Sequence, residues 1–135
     1  MPKLVLWNIL LVGLGGFAGS VMRFAGSGLV QRLFPGTQFP AGTLAVNLVG
    51  CFLIGLIGGY LDSRHLMAPE LRLVVISGVL GGLTTFSTFG YETFALGRGQ
   101  APGVALSNVL LSVILGLVAV WGGYRLSQLF VSTSP

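Results

Sequence analysis

The sequence predicts an all-α integral membrane protein with four transmembrane helices. Sparse charge, apolar runs of spanning length and a proline at the head of each run all point there. Only 7% of the 135 residues are charged and 53% are hydrophobic, against roughly 25% charged in an ordinary soluble domain. Apolar stretches recur at about 4–30, 41–61, 71–96 and 103–125. Each can cross a hydrocarbon core of roughly 30 Å, which needs about 20 residues. The connections, such as "QRLFPGTQFP" and "GRGQAP", hold no soluble domain or long linker, so residues 1–135 read as a single four-helix transmembrane domain.

Pro2, Pro40, Pro69 and Pro102 each precede an apolar run, where a missing N–H loses no bond because the first helical turn has no acceptor for it. The first run follows Lys3 but is longer than a secretory h-region and lacks an A-x-A-like cleavage site, so it reads as a span. It carries Asn8 and Arg23. The second carries Asn47, the third a hydroxyl run and Glu92, and the fourth Asn108 and Ser112. These are the polar groups that fall where lipid would otherwise be.

The third run contains "GGLTTFSTFG" (81–90). Glycine disfavours a helix interior by about 1 kcal/mol relative to alanine. Thr84, Thr85, Ser87 and Thr88 offer the backbone competing hydrogen bonds, so the third helix is expected to break here. In a bilayer the freed backbone groups must be satisfied by protein or an enclosed polar site. Carbonyls at such breaks form hard-oxygen sites of the kind that hold Na⁺ in discontinuous transporter helices. Phe86 and Phe89, three apart, share a helix face. Their positive ring edges suit the route of a small hard anion; core packing is the alternative.

Several function classes are excluded. His65 stands in a loop with no second ligand near, Cys51 is single, and no nucleophile, base and orienting acid appear together, so no enzyme is expected. The net charge of +4 is assigned to flanks touching anionic lipid rather than to nucleic acid. With four spans, Lys3, Arg64, Arg72 and Arg125 fall on one side, and Arg23, Arg32 and Arg98 on the other. So even a balance fits a chain that inserts both ways, its two forms pairing antiparallel, or a weakly written topology signal. Gly15 to Gly19, Gly55 to Gly59, Gly78 to Gly82 and Ser112 to Gly116 have small-xxx-small spacing, available for oligomerisation or for packing within the chain.

"GGFAGSVMR" (15–23), "GTLAVNLVG" (42–50) and "GGLTTFSTF" (81–89), in that order along nearly the whole chain, resemble the Fluc/CrcB family of bacterial fluoride channels. The resemblance implies an antiparallel, dual-topology homodimer in the bacterial inner membrane, with two fluoride pores and a structural Na⁺ at its centre. It assigns the Na⁺ to the backbone carbonyls of Gly81 and Thr84, and the pore to Phe86, Phe89 and Asn47, with Thr85, Ser87, Thr88 and Ser112 as a hydroxyl track. Arg23 and Glu92 match the family's charged positions. Asn108, also assigned to the pore, stands where some relatives carry a tyrosine. Rival readings are a dual-topology, proton-coupled multidrug exporter, whose membrane carboxylate would be Glu92 paired with Arg23, and a non-transporting scaffold.

Overall fold

A computed structural model describes residues 2–64 and 67–132; the lone histidine, His65, lies outside them. The order is α1 (Pro2–Leu33), α2 (Ala41–Arg64), α3 (Pro69–Arg72), a π-helical stretch (Leu73–Leu80), α4 (Gly81–Leu83), α5 (Phe86–Arg98) and α6 (Pro102–Ser132). Four stretches are long and apolar enough to cross a membrane: Leu4–Leu33, Ala41–Leu61, Pro69–Arg98 and Pro102–Phe130. Pro2, Pro69 and Pro102 each open a helix and Pro40 immediately precedes one, as fixed φ and the absent donor favour. The α1–α2 connection turns at Gly36, whose φ of +80° suits a residue without a Cβ.

Glycine decides how closely the helices pack. A Cβ on Gly15 would run into the Val74 carbonyl and one on Gly19 into the Val79 carbonyl, which locks α1 onto the π-helical stretch. On the other side a Cβ on Gly55 would strike the Val120 carbonyl and one on Gly123 the Phe52 carbonyl, so α2 and α6 touch backbone to backbone. Their pairing is the most extensive in the chain. The small-residue spacings at 15–19, 55–59 and 78–82 are thus used inside the chain. Gly116 differs, since its added Cβ would meet only Cys51 Sγ at 3.6 Å, an ordinary contact.

The apolar core is small. Val46, Leu80 and Leu83 cluster with the half-buried Leu53, Ile54 and Ile57 between α2 and the third span. Outside it, large side chains such as Phe17 (73% exposed) and Phe24 (82%) project from the bundle, an arrangement suited to lipid or a second chain rather than water.

Inside the third span the glycines stay helical: Gly81 has φ −63° and ψ −34°. Helical dihedrals are lost just downstream, at Thr84 (φ −89°, ψ 154°) and Thr85 (φ −149°, ψ 120°). Gly82 serves packing instead, because a Cβ there would come within 2.6 Å of the Gly16 carbonyl. The extended pair are β-branched threonines, residues at ease in that conformation.

Candidate functional site

Asn47 on α2 holds the extended pair. Its Oδ1 accepts from the Thr85 amide at 2.8 Å, and its Nδ2 donates to the Thr85 carbonyl at 3.1 Å. One side-chain amide therefore replaces two backbone partners, as buried non-helical backbone in a membrane requires. It also commits one of the two Nδ2 protons, leaving Asn47 a single proton for any ligand.

This diversion has a consequence four residues upstream. In an unbroken helix the Thr85 amide would bond the Gly81 carbonyl; here it goes to Asn47. Likewise the Thr88 amide, the regular donor to the Thr84 carbonyl, goes to Thr85 Oγ1 at 3.2 Å as the cap of α5. The Gly81 and Thr84 carbonyls are thus among those at the end of α4 deprived of their helical donors. Of the two carbonyls between them, that of Gly82 takes a hydrogen bond from Arg23 Nε at 3.0 Å.

Beside the extended pair is a cavity of about 470 Å³ whose lining includes Asn47, Gly81, Thr84, Thr85, Phe86, Phe89 and Ser112. The Phe86 and Phe89 rings lie 5.6 Å apart, tilted by 47°. Phe86 is 83% exposed, so it is not core packing within this chain. Ser112 Oγ is buried with no hydrogen-bond partner among the described residues. No charged side chain is in the lining, while Cys51, Ile54, Ile76, Leu80 and Val113 supply its apolar part.

The other sequence-predicted residues stand apart from this lining. Thr85 Oγ1 donates to Thr88 Oγ1 at 3.0 Å and lies 3.3 Å from Ser87 Oγ, a hydroxyl cluster on the first turn of α5. Asn108, 1% exposed, donates to Thr93 Oγ1 at 2.8 Å between α6 and α5. Glu92 accepts from Thr43 Oγ1 at 2.9 Å, and its other oxygen, Oε2, is buried without a partner among the described residues. Glu92 lines a second cavity of about 610 Å³, along with Gln31, Gln38, Thr43 and Tyr91. Arg23 and Glu92 are thus given different partners rather than each other.

Sequence reasoning missed Thr43, Thr93 and Gln31. Gln31 closes the α1–α2 connection by accepting from the Gly42 amide at 3.2 Å and donating to the Phe39 carbonyl at 3.4 Å. Thr93 could have been found, since a threonine four residues after Phe89 is placed to bond that carbonyl.

Four apolar spans, of which the second, third and fourth line an uncharged cavity with an aromatic wall, define a multi-pass membrane protein. Comparison with known proteins then places it more narrowly. Residues 10–124 match the family described as CrcB-like protein, Camphor Resistance (CrcB), and the chain belongs to that family. It is 39% identical to the fluoride-specific ion channel FluC of Methylobacillus flagellatus, over 92% of this chain and 97% of that one. It is 48% identical to the fluoride-specific ion channel FluC of Sulfurovum sp., over 87% of this chain and 91% of that one. With the FluC of Geobacter sp. the identity is 45%, over 90% of this chain and 97% of the other.

Proposed function

We propose that this chain is a passive fluoride channel of the bacterial cell membrane, working as an antiparallel, dual-topology homodimer with two pores. The observation that carries the reading is the cavity lined by Asn47, Thr85, Ser112, Phe86 and Phe89 without a charged side chain. An anion that sheds water needs donors and positive ring edges and is repelled by carboxylates. Relatives along nearly the whole chain bear the name of fluoride channels.

Fluoride would approach through the field of Arg23 and exchange water for the remaining Asn47 proton and the Ser112 hydroxyl, passing the edges of Phe86 and Phe89. Thr85, Ser87 and Thr88 extend the donor track, because hydroxyl protons re-aim at little cost. The third span acts as a discontinuous helix, and the exposed Phe86 face is where a second copy closes the pathway. The Gly81 and Thr84 carbonyls, deprived of their helical donors, fit a structural Na⁺ shared between the two copies. A Na⁺ held by these carbonyls would supply a fixed positive charge at the contact between the chains.

In liposomes the purified protein should release fluoride, retain chloride, need no proton gradient, and lose flux when Na⁺ is withdrawn during assembly. A fluoride gradient left intact would end the channel reading. Flux that follows a proton gradient would favour the exporter, for which the half-unpartnered Glu92 is the candidate carboxylate.

A further inference from the structure

We propose that Asn108 and Thr93 form a positioning pair that sets the Phe89 ring from α6, an inference that rests on the fluoride pathway above. Asn108 and Ser127 are the most completely buried polar residues among the described ones, at 1% and 2% exposed. A buried amide is strongly unfavourable unless bonded. Asn108 Nδ2 donates to Thr93 Oγ1 at 2.8 Å, and Thr93 Oγ1 donates onward to the Phe89 carbonyl at 2.7 Å. A hydroxyl has one proton, so donation to Phe89 leaves its lone pairs for the amide and fixes the direction of the chain of bonds. Such bonds in series polarise and strengthen one another.

Neither Asn108 nor Thr93 is in the lining of the 470 Å³ cavity, whereas Phe89 is. Helix α5 carries both rings in its first turn, and its main neighbour is α6. A one-residue slip of a helix moves a side chain about 1.5 Å along the axis and turns it by about 100°. That would swing Phe89 away from Phe86. The pair fixes this register at the carbonyl of the ring-bearing residue itself. Asn108 lies four residues from Ser112, so one face of α6 carries both the positioning amide and the cavity hydroxyl.

The test pairs Thr93→Val, which keeps the shape and removes the hydroxyl, with Thr93→Ser, which keeps the hydroxyl, and adds Asn108→Leu. Maximal fluoride efflux from liposomes should fall about tenfold in Thr93→Val and Asn108→Leu, the scale of one lost neutral hydrogen bond. Thr93→Ser should restore it, and the detergent elution profile should stay that of the wild type. A second readout is independent of transport: 4-fluorophenylalanine at position 89 should give one sharp fluorine resonance in the wild type and Thr93→Ser, and a broadened or split one in Thr93→Val. Wild-type protein that passes no fluoride but shows this spectral pattern would end the channel reading and sustain the positioning role. An unchanged resonance in Thr93→Val, or flux lost equally in Thr93→Ser, would overturn the inference.

Discussion

Helix α2 makes two junctions built to opposite ends. Against α6, Gly55 and the facing Gly123 bring backbones together so closely that an added Cβ on either would enter a carbonyl of the other helix. Against the third span, the Asn47 side chain reaches out to the amide and carbonyl of Thr85, and a cavity of about 470 Å³ remains alongside. Glycine gives up side-chain volume and gains contact. Asparagine substitutes for backbone and so holds extended backbone at a distance. The first junction sustains the bundle, and the second keeps a largely apolar cavity with a few polar groups beside it.

The strongest way to break the contrast is to fill the first junction. A leucine at position 55 would place its Cβ against the backbone of Val120, which cannot rotate aside. Overpacking of this kind is unfavourable by about 1–3 kcal/mol even where side chains give way, so Gly55→Leu should abolish recovery of monodisperse protein. The neighbouring Gly58 has nothing within 4 Å of an added Cβ, and Gly58→Leu should elute as the wild type. Equal elution of the two variants would remove glycine contact as the basis of the α2–α6 pairing.

Changing the second junction should affect transport more than folding. Asn47→Asp keeps the acceptor for the Thr85 amide, now at 2.8 Å, and removes the donor to the Thr85 carbonyl. The lost bond amounts to about 1 kcal/mol. The new carboxylate stands in a lining that holds no other charge, where an approaching anion meets it unscreened. Fluoride efflux should fall to that of protein-free liposomes while the protein still elutes intact. Efflux close to wild type would show that Asn47 is a bracket for Thr85 and not part of the anion's route.

The two junctions were not equally legible in the sequence. Helix starts could be read because proline acts locally, and spans because hydropathy sums over many residues. Phe86 and Phe89 were legible as a pair because three-residue spacing fixes their common face. The position of the extended residues was not. Local propensity marked the glycines and the hydroxyl run alike, and long-range contacts choose between them: α1 needs Gly82 for its close approach, and Asn47, distant in sequence, draws Thr85 out of the helix. Asn108 shows the same limit. Its place in a span identified it as polar, but only tertiary structure shows it facing Thr93 across the α5–α6 contact instead of the cavity.

Ser112 gives the smallest expected effect and separates cavity from packing most cleanly. Its hydroxyl is buried with no partner among the described residues, and an unsatisfied buried group is destabilising by about 1–3 kcal/mol. Removing it in Ser112→Ala leaves nothing else unpaired, so the thermal midpoint should hold steady or rise. Gly116, one turn along, makes only an ordinary contact with Cys51, so α6 has no close crossing there for the change to disturb. If the hydroxyl serves a passing anion, the same variant should lose about threefold in maximal fluoride efflux, a fraction of one hydrogen bond's worth. A lower midpoint with unchanged efflux would assign Ser112 to packing, and the cavity would lose its fourth-span donor.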